Sequence, residues 1–382
     1  MPNFYEFFAG GGMARAGLGP DWTCLFANDF DPTKADAYRD NWGKDHLIVD
    51  DVATIKPGQL PGTADLTWAS FPCQDLSLAG AGAGLKGARS GTFKPFWKLM
   101  KGLIAEGRAP KVVVLENVTG ALTSHEGKDF AAICANLVSG GYKVGALIVD
   151  AIHFLPQSRP RLFIIAIRAD LPIASYLRCD QPEKPWHSNA LVNAYLRNSK
   201  KTQKNWVWWK LPEPPNRTCS LESIVEINPE GVAWHTAEET VSLIGLMNDV
   251  HKKKLDEARA LGVKMFGTVY RRTRKEGPDN KKIQRAEVRF DGVAGCLRTP
   301  TGGSSRQTLL VVEGEKIQSR LLSPREAARL MGLPDNYRLP SNYNDAYHLA
   351  ADGIAVPAVR FLAKYLIEPL VKYEAQNQLR AA

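Results

Sequence analysis

The stretch NFYEFFAGGG, residues 3–12, decides how the fold of this chain begins. Residues 3–9 are mostly aromatic and apolar and predict a strand, and the glycines that follow it open a helix. Short runs bounded by turn residues predict further strands at 24–28, 65–70, 111–117, 145–151 and 161–167. Helical patterns lie between several of these strands, for example at 93–106 and 127–139. Such alternation is typical of a mostly parallel, doubly wound sheet, so we predict an α/β fold.

The alternation of strands and helices ends at about residue 170. Residues 176–300 contain proline-rich turns (LPEPPNR), a tryptophan cluster (NWVWWK, 205–210), a helical stretch at 238–262 and a basic run. We therefore predict an α/β domain at 1–175, a smaller mixed domain at 176–317, and a segment at 318–382 that packs back on the first domain. In that last segment Ser323 and Glu326 have the spacing of a helix capping box. We expect the tryptophans to pack in a core rather than to stack on bases.

Composition excludes several classes of protein. The chain has 382 residues, of which 44% are hydrophobic and 23% charged, as in a globular protein of two domains. No segment is apolar enough to cross a membrane, and the N-terminus has no basic leader, so we expect a cytoplasmic protein. Its six cysteines are far apart and form no CxxC pair, which argues against a zinc site and a disulfide framework.

The net charge of +9 is concentrated in one segment. Residues 251–290 contain 13 Lys and Arg against 5 Asp and Glu, a local balance of +8. A basic patch on an otherwise nearly neutral protein is the pattern expected for a polyanionic partner, although a solvated surface gives the same composition.

The glycines after the first strand indicate a cofactor site. Gly10 and Gly12 allow close approach to the backbone, and Asp29 ends the next strand about 20 residues later, where an acidic residue binds ribose hydroxyls. Phe30 is placed to stack on an adenine, and Asp51 follows a third strand. The third glycine of a dinucleotide fingerprint is replaced by Arg15, so S-adenosylmethionine fits better than a dinucleotide. A plain strand-to-helix turn is the alternative.

A second group of residues indicates a reaction centre. Cys73, in SFPCQDLSLAG (70–80), and Glu116 both lie at predicted strand ends, where α/β sheets bind ligands. Arg159 precedes the strand predicted at 161–167 and Arg161 begins it, and nearby cations lower the pKa of a nucleophilic thiol. The glycine-rich residues 80–91 resemble a lid. We expect the other five cysteines to be small buried residues.

Short motifs occur along the chain in a characteristic order: FAGGG, NDFD, DDV, FPCQDLS, ENV, PQSRPRLF, AGCLRTPTGGSSRQ, SPREAARLMGLP and DGIAVP. In this order and spacing they resemble the motifs of the bacterial-type DNA cytosine-5 methyltransferases. The last motif departs from the family pattern, because Ala351-Asp352-Gly353-Ile354 stands where Gly-Asn-Ser/Ala-Val is usual.

The resemblance implies a Rossmann-like methyltransferase domain with S-adenosylmethionine as cofactor, S-adenosylhomocysteine as product and no metal. It implies that residues 176–317 recognise a specific sequence in double-stranded DNA. It implies that the Cys73 thiolate adds to C6 of a flipped-out cytosine, that Glu116 contacts N3 and the 4-amino group, and that Arg159 and Arg161 hold the base edge, the thiolate region or a phosphate. The implied cofactor residues are Phe8, Ala9, Gly10, Gly12, Asp29, Phe30, Asp51, Val52, Pro72, Asp352 and Gly353. The residues expected at the DNA are Gln74, Ser77, Arg89, Arg271, Arg272, Arg274, Lys281, Lys282 and Arg285.

Three other functions compete with this interpretation. The same chemistry on RNA is disfavoured by the large middle domain. A catalytically inactive DNA-binding protein is disfavoured by the intact reaction-centre residues, and a nicotinamide-dependent dehydrogenase is disfavoured by Arg15.

We expect a bacterial or phage-encoded monomer. The sequence leaves open whether it works with a restriction endonuclease that cuts the same site, as an orphan enzyme or in another defence system.

Overall fold

The structure is a computed structural model and describes residues 1–72, 92–276, 279–299 and 306–372. The chain forms two compact units. Unit 1 contains Met1–Asp150, Pro160–Pro214 and Val356–Ala382, and unit 2 contains Ala151–Arg159 and Pro215–Ala355.

Unit 1 is built on a seven-stranded sheet. Its strands are β1 (Asn3–Phe7), β2 (Thr23–Asp29), β3 (Leu47–Val49), β4 (Leu66–Ala69), β5 (Val112–Val118), β6 (Tyr142–Asp150) and β7 (Pro160–Arg168). They lie in the order β3-β2-β1-β4-β5-β7-β6. The pairs among β1 to β5 are parallel, whereas β7 runs antiparallel to both of its neighbours. The predicted α/β fold is confirmed, and all six strands predicted in this region are present.

Helices connect and cover this sheet. They are α1 (Met13–Leu18), α2 (Pro32–Trp42), α3 (Phe93–Ala105), α4 (Lys128–Ser139), α5 (Asn189–Leu196), α6 (Lys200–Lys204) and α12 (Val356–Leu362). The apolar positions of α3, including Phe93, Phe96, Trp97 and Met100, recur every three or four residues and are buried in the core. The strand order reverses between β1 and β4, and such a switch point opens a crevice at the carboxyl ends of the strands.

The boundaries of unit 1 differ from those predicted. Residues 176–214 belong to it and contain two short strands, β8 (Arg178–Cys179) and β9 (Trp208–Trp209). The reason is the tryptophan cluster: Trp209 is fully buried and its Nε1 donates to Ile165 O at 3.1 Å. At the other end only the part from Val356 onward groups with unit 1. There Arg360 Nη1 donates to Leu18 O at 2.8 Å.

Unit 2 is built on a four-stranded antiparallel sheet in the order β11-β10-β12-β13. The strands are β10 (Met265–Glu276), β11 (Lys281–Arg289), β12 (Thr308–Glu313) and β13 (Lys316–Leu321). The helices are α7 (Leu221–Ile224), α8 (Ala237–Gly245), α9 (Asp249–Ala260), α10 (Pro324–Leu330) and α11 (Tyr343–Asp352). Residues of α8 and α9, including Leu243 and Leu255, share a core with Val269 and Leu310 of the sheet. Ser323 and Glu326 form the predicted capping box at the start of α10.

A substitution at Gly145 of β6 can test how tightly this strand packs against the segment that contains the tryptophan cluster. A Cβ at this position would lie 2.0 Å from Val207 O and 2.5 Å from Trp209 Nε1. Because one obstacle is backbone, Gly145→Ala should lower the free energy of unfolding by about 1–3 kcal/mol. Urea unfolding followed by tryptophan fluorescence measures this change. Gly58→Ala is the matched control, since a Cβ there meets nothing within 4 Å, and an equal loss in both variants would contradict the packing argument.

Candidate active site

The carboxyl ends of neighbouring strands bring the predicted cofactor residues of unit 1 to one edge of the sheet. Asp29 ends β2, Asp51 follows β3 by two residues, and the glycine turn follows β1. Asn28 joins two of these strand ends, because its Nδ2 donates to Ile48 O at 3.0 Å and to Asp50 O at 2.9 Å. The three predicted cofactor segments therefore lie side by side, as the strand order β3-β2-β1 requires.

The glycine turn has a backbone that demands glycine at two positions. Gly10 has a φ of 53° and Gly12 a φ of 77°, both in the left-handed region. A Cβ on Gly12 would lie 2.3 Å from Trp42 Nε1, which donates to Gly11 O at 3.0 Å. Phe8 also has a positive φ, 56°, which is rare for a bulky residue and typical of a functional segment.

Arg15 braces the turn from the position where a dinucleotide fingerprint has its third glycine. Its guanidinium carbon lies 5.0 Å from the Trp42 ring centroid, and its Nη1 donates to Tyr38 Oη at 3.0 Å. The same Nη1 also contacts His46 Nε2. In a dinucleotide-binding fold, glycine at this position lets the helix pack closely on the strand. Here the long Arg15 side chain occupies that position and packs against Trp42 and Tyr38 behind the turn.

The Asp29 carboxylate is held by backbone amides. Gly10 N donates to Oδ2 at 2.7 Å and Asp31 N donates to Oδ1 at 2.9 Å. Burial raises the pKa of this carboxyl, against the opposing effect of the two amides. A carboxylate has about four lone-pair sites, so these two bonds still allow it to accept ribose hydroxyls. The neighbouring Phe30 is 68% exposed, which leaves its ring available for stacking.

Asp51 and Val52 form a tight turn after β3. Asp51 Oδ1 accepts from Ala53 N at 2.8 Å, and its own backbone amide donates to Asp50 Oδ1 at 2.7 Å. Asp51 is exposed whereas Val52 is buried, so this turn presents an acidic group above an apolar base. An adenine with its exocyclic amine needs both kinds of surface.

Glu6 is a buried carboxyl directly below the glycine turn. It lies in β1 and is 1% exposed; its Oε1 accepts from Arg15 N at 3.3 Å, and its Oε2 has no hydrogen-bond partner among the described residues. Burial raises the pKa of this group to about 8, while Arg15 opposes the rise and Asp29 adds to it. Glu6 was not predicted as a site residue, because one carboxylate in an apolar strand gives no periodic signal.

Glu116 and Arg161 meet at the same edge of the sheet. Arg161 Nε lies 3.3 Å from Glu116 Oε1, and both side chains are largely buried. Glu116 is near the end of β5 and Arg161 near the start of β7; they meet because β7 runs antiparallel to β5. Arg161 is therefore near the carboxyl end of β5 although it begins its own strand.

Asn117 links the end of β5 to the segment that leads to Cys73. Its Nδ2 donates to Phe71 O at 3.1 Å, and its Oδ1 accepts from Val118 N at 2.9 Å. Phe71 is buried and Pro72 half-buried, so this bond fixes the backbone directly before the predicted nucleophile. Asn117 was not predicted as a site residue, although it stands next to Glu116 in the ENV motif, and that position was the signal that could have identified it.

Arg159 belongs to unit 2 and is 2% exposed. Its Nη2 donates to Ala351 O at 2.7 Å and to Gly353 O at 2.6 Å, and its Nη1 donates to Leu297 O at 3.2 Å. The guanidinium therefore organises the backbone around Asp352 and Gly353, the predicted cofactor residues of the last motif. Asp352 also accepts a hydrogen bond from Thr299 Oγ1.

The remaining predicted residues divide into two groups. Cys73, Gln74, Ser77, Arg89 and the predicted lid at 80–91 lie outside the described residues. The basic candidates lie on two paired strands of unit 2: Arg271, Arg272 and Arg274 on β10, and Lys281, Lys282 and Arg285 on β11.

The described residues contain neither a metal-ligand cluster nor a membrane-spanning helix. No group of three or more His, Cys, Asp or Glu side chains there is arranged to hold a metal ion. None of the helices in the described part of the chain has the length and apolar character to cross a membrane.

The sheet order of unit 1 is that of the Rossmann-like methyltransferase fold. The model of the C-5 cytosine-specific DNA methylase family matches residues 2–368, so the chain belongs to this family of enzymes. The predicted family is thereby confirmed, and the dehydrogenase alternative is wrong.

Curated relatives match over almost the whole chain. The type II methyltransferase M.BsuFI of Bacillus subtilis is 26% identical over 376 residues, which are 98% of this chain and 74% of that protein. The type II methyltransferase M.HhaI of Haemophilus parahaemolyticus is 23% identical over 364 residues, covering 94% of this chain and 92% of that protein.

Solved structures share the fold. The Dnmt2 methyltransferase of S. pombe matches with a TM-score of 0.57 and 18% identity, covering 97% of this chain and 99% of that one. The Entamoeba histolytica methyltransferase EhMeth matches with a TM-score of 0.61 and 16% identity over 97% of this chain and 99% of that one.

Removal of the hydrogen bond from Asn117 to Phe71 O should lower catalysis without unfolding the protein. Asn117→Ala removes the donor to Phe71 O, so the segment before Cys73 loses its tie to β5. Misplacement of a reacting group by about 1 Å costs up to about 100-fold in rate. We expect the methylation kcat to fall at least tenfold while KM for the cofactor stays unchanged. Asn136→Ala is the control, since Asn136 makes the same kind of bond to Ala132 O on an exposed helix surface. Equal kcat values in the two variants would contradict this positioning role.

Because the folded pKa of Glu6 is raised, the free energy of unfolding should fall as pH rises. Between its ordinary pKa of 4.5 and its folded value of about 8, the unfolded chain releases this proton and the folded chain keeps it. The free energy of unfolding therefore falls through this window, by about 1.4 kcal/mol for each unit of difference between the two pKa values. Glu6→Gln keeps an acceptor for Arg15 N and cannot ionise. Thermal unfolding at pH 5 and pH 8 should show a smaller loss for the variant than for wild type; parallel curves would mean that Glu6 does not carry the effect.

Proposed function

We propose that this chain methylates C5 of a cytosine within a specific sequence of double-stranded DNA. The observation that carries the proposal is the meeting of Glu116 and Arg161 at the strand end beside Phe71, which directly precedes the Pro72-Cys73 motif. Together with family membership, this arrangement supports a reaction on a cytosine ring and not only DNA binding.

The cofactor of the proposed reaction is S-adenosylmethionine, which when bound supplies an electrophilic methyl group. The Asp29 carboxylate would accept the ribose hydroxyls, Phe30 would stack on the adenine, and Asp51 would accept from the adenine amine. The glycine turn would leave room for the rest of the molecule. Glu6 and Arg15 would hold the turn from below without touching the ligand.

In the proposed mechanism cytosine becomes reactive through covalent addition. The Cys73 thiolate forms a bond to C6, and the electron pair of the 5,6 double bond is displaced toward N3. Glu116 neutralises the negative charge that develops there by donating a hydrogen bond or a proton to N3. C5, made nucleophilic by this addition, would accept the methyl group that the bound cofactor supplies, with S-adenosylhomocysteine as the leaving group. A base would then remove the C5 proton, and elimination of the Cys73 thiolate would restore the 5,6 double bond. The Arg161 guanidinium orients the Glu116 carboxyl for this role. Arg159 would act on the last motif by holding the carbonyls that flank Asp352.

The target cytosine must leave the base stack, which costs a few kcal/mol. We propose that contacts from unit 2 and from the predicted lid, residues 80–91, offset that cost. We propose a monomer that acts on DNA, with a restriction endonuclease of the same specificity as an additional partner. The curated relatives named as type II methyltransferases support this setting.

Sequencing of 5-methylcytosine in DNA from a methylation-free host tests the proposal. Wild type should methylate one short motif, and Cys73→Ser should abolish methylation while salt-sensitive DNA binding is kept, because the addition to C6 needs the thiolate. Cys219→Ser is the matched control and should retain activity, since the Cys219 Sγ contacts recorded among the described residues are local ones, to Ser220 O and Ser223 Oγ.

Two outcomes would contradict the proposal. Soluble wild-type protein with unmethylated host DNA would favour an RNA substrate or an inactive DNA-binding protein. Full activity of the Cys73→Ser variant would exclude the covalent route through that residue.

A further inference from the structure

Strands β10 and β11 form a two-stranded ribbon that extends beyond the four-stranded sheet of unit 2. β10 pairs with β12 over Met265–Val269, whereas it pairs with β11 from Thr268 to Glu276. From Tyr270 to Glu276 the strand therefore has β11 as its only strand partner in the described chain. At about 3.4 Å per residue this part of the ribbon is about 20 Å long.

The ribbon is exposed and strongly basic. Arg271, Thr273, Arg274 and Lys275 are exposed on β10, as are Lys281, Lys282 and Gln284 on β11. A two-stranded hairpin without an apolar face is only marginally stable by itself, and its edges invite unwanted pairing. Its charge points to a polyanion, and the major groove of DNA is wide enough to admit a two-stranded ribbon.

The strand register divides the basic residues between two faces. Arg272 lies opposite Arg285, and Arg274 lies opposite Ile283, on the face that also contains Glu287. Because side chains alternate along a strand, Arg271 and Lys275 point to the other face, where Lys282 lies opposite Lys275. The six basic residues predicted at the DNA are therefore not one surface: Arg271 and Lys282 lie on one face, and Arg272, Arg274, Lys281 and Arg285 on the other.

One carboxylate holds two of these arginines. Arg274 Nε donates to Glu287 Oε1 at 2.5 Å, and Arg272 Nε lies 3.5 Å from Glu287 Oε2. The Arg272 guanidinium carbon also lies 5.5 Å from the Tyr270 ring centroid. Glu287 reduces the positive charge of this face, so it weakens rather than strengthens attraction to phosphates. Its compensating effect is to fix the direction of two guanidiniums, which lowers the entropy lost when they bind.

We propose that the face with Arg272 and Arg274 enters the major groove and reads guanine edges, with Glu287 as the positioning residue for both arginines. A fixed guanidinium matches guanine O6 and N7 through two hydrogen bonds, and one such pair discriminates between bases by tenfold or more. The opposite face, with Arg271, Lys275 and Lys282, adds charge without reading sequence. This inference rests on the proposed function, since it names the element of unit 2 that selects the DNA site.

The test uses the DNA motif that sequencing of the methylation-free host identifies as methylated. It compares the methylation rate of a duplex containing this motif with the rates of duplexes in which one G·C pair of the motif is changed. Glu287→Gln should lower the ratio of cognate to altered-site rates about tenfold while total DNA affinity stays equal or rises. Arg274→Lys should lower the same ratio without changing the salt dependence, because it keeps the charge and loses the planar fork. It also provides a second test if Glu287→Gln does not fold.

Lys275→Gln is the matched control on the opposite face. It should weaken binding to all duplexes alike, reduce the log-log salt slope by up to about 0.9 and leave discrimination unchanged. The inference is overturned if Glu287→Gln and Arg274→Lys keep wild-type discrimination, or if Lys275→Gln loses it to the same extent. A wild type that methylates no DNA would instead refute the proposed function itself.

Discussion

The candidate site of unit 1 depends on one constraint, the direction of β7 within the sheet. In a fully parallel sheet the start of this strand would lie at the far edge from the end of β5. Because β7 runs antiparallel, Arg161 at its start meets Glu116 near the end of β5 at 3.3 Å. The switch point between β1 and β4 opens the crevice at the same edge. Strand order and strand direction together therefore gather the glycine turn, the acidic strand ends and the Glu116–Arg161 pair.

The site is placed by hydrogen bonds between side chains and backbone more than by direct contacts between the proposed functional groups. Asn28 ties β2 to the turn after β3, Gly10 N holds Asp29, and Asn117 ties the end of β5 to Phe71. The same segment contains two features that lower stability, the buried carboxyl of Glu6 and the positive φ of Phe8. Departures of this kind from ideal local structure are expected where a sequence gives up stability for function. In unit 2 the corresponding departure from ideal structure is on the surface, because the described part of the basic ribbon has no apolar face where it extends beyond the sheet.

Much of the fold of unit 1 was predictable because its signals are local. Buried strands such as Val112–Val118 have continuous apolar runs, and the apolar positions of α3 recur with helical spacing. Strands β10 and β11 were missed because charged residues on both faces of the ribbon remove the alternation that marks a half-buried strand. The helical stretch at 238–262 forms two helices, α8 and α9, because Asn248 caps the second one.

Motifs and strand ends are encoded within a few neighbouring residues, and they were enough to predict the α/β class, the family and the site candidates Asp29, Asp51, Cys73 and Glu116. Which of the predicted residues meet depends on how distant parts of the chain fold together. Arg161 reached Glu116 through an antiparallel pairing, whereas Arg159 was used to hold the carbonyls of Ala351 and Gly353. The register of β10 against β11 likewise decided which arginines share a face with Glu287. Pairing partner, direction and register join residues that are distant in the chain, and local composition does not specify them.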